Sequence, residues 1–306
     1  MSTREPTNVA ASVKQRLLNL AAKNHEDFNF VLTRYGIERF LYRLSQSNYA
    51  DDFILKGAML FHLKPVPLPY RATGDVDLTT HGSPVPTELV HLFKTICQVE
   101  VIADGLTFDP KSVQAELIRE GQDYEGVRVR LEGRMGSARL PLQIDVGFGD
   151  ALTPHPKREP LATLLDFPPP CLFINSWETV VAEKFHALVD LGMANSRMKD
   201  YFDLHYLATT VPFNGSNLAQ AIQATFDRRR TPNPTTLPIG LSAVFSADPM
   251  KQSQWQAFHK RIRRDSKHQT LTKTVKDLQD FLMPPVTALT EHHPFIKKWP
   301  IGGPWK

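Results

Sequence analysis

A run of about 18 consecutive apolar residues, the minimum for a helix that crosses a bilayer, occurs nowhere in the chain, so no transmembrane span and no membrane partner are expected. The opening residues, Met-Ser-Thr-Arg-Glu-Pro-Thr-Asn, carry no hydrophobic signal region. Cysteine is scarce. Cys97 and Cys171 are too isolated to form a zinc cluster by spacing, and two lone thiols fit a reducing, cytoplasmic location. Internal repeats and low-complexity tracts are also missing, which excludes solenoids and disordered arrays. Neither sign of charge dominates: 36 Lys and Arg stand against 32 Asp and Glu, a net charge of +4. With an isoelectric point near 9.0, that balance permits a nucleic-acid partner without requiring one. The 306 residues, 42% apolar and 22% charged, are enough for a large core and two lobes.

What is present centres on residues 53–78. Lys56-Gly57 follows the apolar run Phe53-Ile54-Leu55 and opens a second apolar stretch at Ala58, and then a proline-broken loop leads to Gly74-Asp75-Val76-Asp77-Leu78. Val76 and Leu78 alternate with Asp75 and Asp77, so a strand here has one apolar and one acidic face. Two carboxylates two residues apart repel each other and need solvent or a cation. Mg²⁺ prefers one or two carboxylates plus substrate phosphates, and this strand end offers that donor set. Glycine at position 57 lets backbone approach a phosphate closely. Arg71 and Thr73 stand just before the acidic pair. A solvated turn is the plainer alternative, since Asp-x-Asp is common.

The remaining chain reads as an α+β protein. A helix is expected over 8–23, a second through Phe28 to Tyr35, and a third after Gly36 with Ile37, Phe40, Leu41 and Leu44 on one side. Arg39 and Arg43 are placed on a solvated face, with phosphate contact as the alternative. A helix is expected within 84–103 and a strand at 112–119. Val127-Arg128-Val129-Arg130-Leu131 and the run 139–146 alternate strictly and read as an antiparallel hairpin. Asp145 then lies on the polar face of the second strand, either as a solvent-facing residue or as a third acidic group. The proline-rich stretch 151–175 reads as a linker, giving a first lobe over 1–165 and a mainly helical one over 166–306.

In the helical lobe, Ser176 is a helix cap and Gly192 a C-terminal stop. Lys184 falls on or beside the buried stripe of that helix, where an ammonium needs a partner. Its stem either snorkels to the rim or aims the charge at nucleotide phosphates. Asp200 and Asp203 share a helical face after Lys199 and fit either an ion pair between helices or a role in holding substrate. Residues 251–267 are the most basic stretch. They read either as a solvated face or as a surface for RNA backbone, with Trp255 and Phe258 packing inward. The tail 284–306 is left open between wrapping the surface and moving freely.

Taken together, Tyr35 to Ser45, Phe53 to Leu60, and Arg71-Ala72-Thr73-Gly74-Asp75-Val76-Asp77-Leu78 resemble the AbiEii/AbiGii toxin family, within the polymerase-beta-like nucleotidyltransferases. The resemblance runs to about residue 285. It implies a bilobed α+β fold, a mixed nucleotidyltransferase sheet with flanking helices plus a helical C-terminal lobe. It also implies a toxin of a bacterial toxin–antitoxin system that transfers a nucleoside monophosphate from an NTP. Its cofactor would be Mg²⁺, with Mn²⁺ as a substitute. The acceptor would be RNA, such as a tRNA 3′ end, and the neutralising partner a cognate antitoxin. On that likeness Asp75, Asp77, Asp145, Lys184 and Asp203 are the catalytic candidates, with Asp75 and Asp77 on the metal and Asp145 as third ligand or base. Lys56, Gly57, Ala58, Arg71, Thr73, Lys199 and Asp200 are the substrate-binding candidates. The sequence departs from the superfamily where Gly-Ser or Gly-Gly is usual, since Ala58 brings no hydroxyl and leaves more of the phosphate binding to Lys56. Transfer to a protein or small molecule, or a non-catalytic nucleotide-binding module, are the competing readings.

Overall fold

The computed structural model describes residues 8–63, 74–119, 125–262 and 269–306. Two compact units emerge, one of residues 1–150 and 157–174, the other of 151–156 and 175–306.

The first unit begins with helices α1 (Val9–Asn24) and α2 (Phe28–Gln46). Strand β1 (Phe53–Lys56) follows, then one turn of 3₁₀ helix at Gly57–Met59, a short α3 (Leu60–Leu63) and β2 (Asp75–Thr80). Helix α4 (Pro86–Cys97) precedes β3 (Thr107–Arg119), β4 (Glu125–Met135), β5 (Ala138–Phe148), β6 (Lys157–Pro160) and β7 (Cys171–Ile174). These strands form a seven-stranded mixed sheet in the order β3-β4-β5-β2-β1-β7-β6. The β2–β5 and β1–β7 pairs are parallel, and the other neighbours antiparallel. One face is apolar: Leu55, Val76, Leu78, Ile144, Val146, Val127 and Val129 are all buried. Beneath lies an aromatic core in which Phe40 stacks on Phe93 at 5.6 Å and meets Phe108 edge-on.

Three local expectations change. Helix α2 runs unbroken through Gly36, because the sheet rather than a turn claims that glycine. A Cβ there would lie 3.1 Å from Leu140 Cδ2, so its absence lets the helix settle on β5. The hairpin is tighter than its seven-residue connection suggested. Met135 pairs with Ala138 around Gly136 at φ +58°, while Gly133 sits inside β4 under Phe108. The stretch 151–175 is more than a linker, since it supplies β6 and β7, which extend the sheet beyond β1. Polyproline composition marked the bends between these strands but hid strands of only four residues.

Arg39 and Arg43 are not on a solvated face. Both are buried. Arg43 grips Asp104 through Nη1 at 2.7 Å and Nη2 at 3.2 Å and also donates to the Leu106 carbonyl. Arg39 is ion-paired to Glu38 at 2.9 Å, donates to the Pro168 carbonyl and lies over the rings of Tyr42 and Phe167. Burial pushes the Glu38 carboxyl up to about 7, although Arg39 and the Leu164 N–H oppose the rise.

The second unit is helical: α5 (Trp177–Leu191), α6 (Met198–Thr210), α7 (Gly215–Arg228), α8 (Ala243–Ala247), α9 (Pro249–Arg261) and α10 (Leu271–Thr290). A small two-stranded antiparallel sheet pairs β8 (Phe213–Asn214) with β9 (Lys298–Trp299). Ser176 caps α5 by accepting from the Thr179 N–H. Trp255 is buried and donates to the Gln269 carbonyl, as its spacing from Phe258 implied. Lys251, counted among the basic surface, is buried too and donates to the Asn195 carbonyl. The tail is packed: Trp299 donates to the Ala208 carbonyl and Trp305 to that of Phe281. Among the described residues no helix is long and apolar enough to cross a membrane. The α+β expectation therefore holds, with a mixed sheet in one unit and helices dominating the other.

Candidate active site

Sheet register sets the first part of the site. Lys56 on β1 pairs with Asp77 on β2, Asp77 with Asp145 on β5, and Asp145 with Arg128 on β4. These four residues therefore form one row on the polar face. Asp75 stands two residues from Asp77 on the same face, opposite Gln143. Its side chain is exposed and that of Asp77 half-buried, while Val76 and Leu78 between them point into the core.

The turn after β1 is fitted to this row. Gly57 has φ +72°, a conformation that favours glycine. A Cβ on it would lie 2.0 Å from Asp77 Oδ2 and 2.7 Å from its Cγ. The Asp77 carboxylate thus occupies the space that any other side chain at 57 would need. Ala58 is buried in the 3₁₀ turn. Lys56 is anchored by Asp150 at 2.5 Å, a pair that lies largely out of solvent.

Arg128 holds Asp145 with a two-pronged contact, Nε to Oδ1 at 2.8 Å and Nη2 to Oδ2 at 2.7 Å. That hydrogen bond chiefly raises the arginine's pKa above its ordinary value, with Asp145 and Asp75 adding attraction. Asp145 was expected as a third ligand or base; here each of its oxygens accepts a hydrogen bond from a guanidinium. Sequence reasoning missed Arg128 and Asp150. Arg128 was visible only as one polar position in an alternating strand. Asp150 lies two residues beyond the end of β5, where nothing in the sequence pointed to Lys56.

Helices α5 and α6 build a second constellation. Lys184 Nζ lies 2.7 Å from Asp200 Oδ1 and 2.9 Å from Asp203 Oδ2, and Arg197 Nε lies 2.7 Å from Asp200 Oδ2. Both carboxylates are fully buried. Burial alone would push the Asp200 carboxyl up, but Lys184 and Arg197 more than offset it and hold it below the ordinary carboxylate value. Lys199 is exposed on the same helix. Arg71 and Thr73 lie outside the described residues.

The fit of a divalent metal rests on the Asp75/Asp77 pair. Both donors are hard oxygens on one face, Asp75 exposed and Asp77 half-buried, and the absence of a side chain at Gly57 makes room for the Asp77 carboxylate. Among the described residues no three His, Cys, Asp or Glu side chains converge as a complete metal cage. The residues therefore suit an ion that takes its other ligands from substrate phosphates and water. Nucleotidyltransferases generally use divalent metals.

A mixed sheet with paired acidic residues beside a glycine turn belongs to the nucleotidyltransferase class. Residues 39–283 match the family described as nucleotidyl transferase AbiEii toxin, type IV toxin–antitoxin system. The chain belongs to that family, as its motifs implied, and is a nucleotidyltransferase. Membership brings a nucleotide substrate and an antitoxin partner. No curated protein matched the sequence. Two solved structures from Helicobacter pylori are similar at 18% identity. One is JHP933, with a TM-score of 0.45, covering 83% of this chain and 90% of its own. The other is a candidate nucleotidyltransferase, with a TM-score of 0.46, covering 86% and 97%.

Proposed function

We propose that this toxin transfers a nucleoside monophosphate from an NTP to an RNA acceptor, with a tRNA 3′ end as the preferred acceptor. The observation that carries the reading is the Asp75/Asp77 pair on the polar face of β2, Asp75 exposed and Asp77 half-buried against the Gly57 turn. Asp75 and Asp77 would hold Mg²⁺, or Mn²⁺ in its place. When bound, the metal supplies charge neutralisation for the triphosphate and the leaving pyrophosphate. The turn at Gly57-Ala58 brings backbone close to a phosphate, and Lys56, fixed by Asp150, adds positive charge beside it. In the helical unit, Asp200 and Asp203 fix the Lys184 ammonium as a point charge of the kind that binds phosphate, and Lys199 is exposed on α6. Asp200 and Asp203 act here as positioning residues. The acceptor hydroxyl attacks the α-phosphorus, a new P–O bond forms, the bond to the β-phosphate oxygen breaks, and pyrophosphate departs. The hydroxyl proton passes to solvent or to a neighbouring carboxylate. Catalysis is then mostly positioning and electrostatics.

The test is label transfer. Purified protein is incubated with Mg²⁺, total bacterial RNA and each α-³²P-NTP in turn, beside Asp75→Ala. Label in a tRNA-sized band with wild type alone is the expected result. Label in protein or in a small molecule instead would move the acceptor to those classes. No label with any NTP would favour a nucleotide-binding module without turnover.

A further inference from the structure

Resting on the site reading above, we propose that Arg128 binds a phosphate of the nucleotide and that Asp145 serves to orient it, rather than acting as a third metal ligand or base. Four observations carry this. Arg128 lies in the same register row as Asp77 and on the same face as Asp75. Its contact with Asp145 is two-pronged, which fixes the plane of the guanidinium. Guanidinium has five N–H donors. Nε and one hydrogen of Nη2 go to Asp145, and Arg128 makes no further hydrogen bond among the described residues. Finally, the side chain is 30% exposed and Asp145 18%, so a ligand can reach the unused donors while the supporting pair is largely shielded.

The geometry also argues against Asp145 as a ligand at rest. To join a metal, it would have to share an oxygen already engaged by the guanidinium and hold a second cation beside the first. As an orienter it keeps that contact and turns the arginine into a forked phosphate receptor, the arrangement that suits guanidinium better than ammonium. The row then reads as a carboxylate pair flanked by two cations. Lys56 is pinned by Asp150 on one side, and Arg128 by Asp145 on the other.

Two titrations separate the roles. Mn²⁺ binding without nucleotide is followed by electron paramagnetic resonance, and binding of tripolyphosphate and of each NTP at fixed Mg²⁺ by calorimetry. Wild type, Arg128→Gln, Arg128→Lys, Asp145→Asn and Asp77→Asn are compared, with thermal melts confirming that each is folded. Arg128→Gln and Asp145→Asn should each weaken tripolyphosphate and NTP binding roughly tenfold or more, as expected for a lost charge-assisted contact. Arg128→Lys should recover only part of that loss. Arg128→Gln combined with Asp145→Asn should be no worse than the weaker of those two single variants, and Mn²⁺ affinity in all three should stay within about twofold of wild type. The inference is overturned if Asp145→Asn weakens Mn²⁺ binding, or if Arg128→Gln leaves polyphosphate binding unchanged. Asp77→Asn reports on the site itself: if it binds Mn²⁺ as wild type does, the metal reading fails, and this inference falls with it.

Discussion

Two pairs of aspartates in this protein meet opposite fates. Asp75 and Asp77 stand two apart on a strand, exposed and half-buried. Asp200 and Asp203 stand three apart on a helix, both fully buried and both bonded to Lys184. A strand puts alternate residues on one face, and the polar face of β2 leaves its carboxylates near solvent. A helix puts residues three apart on one side, and the inward side of α6 takes its carboxylates into the core, where they persist only with a cation. The contrast teaches that one residue type can keep charge available for a ligand or hold a cation in place, and that burial separates the two uses.

The sharpest way to break this comparison is to neutralise one member of each pair. Asp77→Asn should lower transfer activity by ~10³-fold or more, about 4 kcal/mol of transition-state stabilisation, with little change in the urea midpoint. A large stability loss instead would mean that Asp77 is architectural. Asp200→Ala should do the reverse in the folding measurement. It removes one carboxylate from Lys184 and from Arg197, and loss of one partner in a buried ion pair costs about 3–4 kcal/mol. Urea denaturation that found less than about 1 kcal/mol would remove the structural contrast.

A third measurement asks whether the helical unit carries other burial-driven charge effects. His186 is buried with Nε2 2.8 Å from Thr231 Oγ1, and desolvation lowers its pKa from 6.5 to about 4, with Arg229 pushing the same way. The unfolded chain then binds more protons between those values. Stability from this group is complete above pH 6.5 and is lost as pH falls towards 4, by up to about 3 kcal/mol. His186→Gln should flatten that part of the stability–pH curve, and an unchanged slope would assign the acid sensitivity elsewhere. The smallest effect expected is at the glycine turn. Gly57→Ala places a Cβ against Asp77 in a left-handed backbone, so the carboxylate must shift; activity should fall about tenfold, some 1.4 kcal/mol, with a modest loss of melting temperature from the strained turn. Full activity in that variant would show that the seat of Asp77 is tolerant.

Much of this was legible in the sequence where a short-range rule applies. The alternation Asp75-Val76-Asp77-Leu78 gave the two-faced strand. Strict alternation at 127–131 and 139–146 gave the hairpin, and Ser176 and Gly192 bounded α5. The residues Lys184, Asp200 and Asp203 were singled out before anything showed that they meet. What failed depended on distant partners. Gly36 looked like a break because glycine often is one, whereas Leu140, more than a hundred residues on, needed the space. Arg39 and Arg43 looked solvated because arginine usually is, whereas the Pro168 carbonyl and Asp104 allowed them inside.

The sequence by itself determined the α+β class, the family, the acidic face of β2 and the identity of the charged groups worth watching, because periodicity and motif spacing are local properties of a chain. Only the tertiary structure decided how those charges pair. Strand register alone sets Lys56, Asp77, Asp145 and Arg128 in one row, and helix packing alone brings Lys184 between Asp200 and Asp203. Whether a carboxylate stays open to a ligand or is bonded to a cation depends on what folding carries to within about 3 Å of it, and those neighbours come from residues far away along the chain.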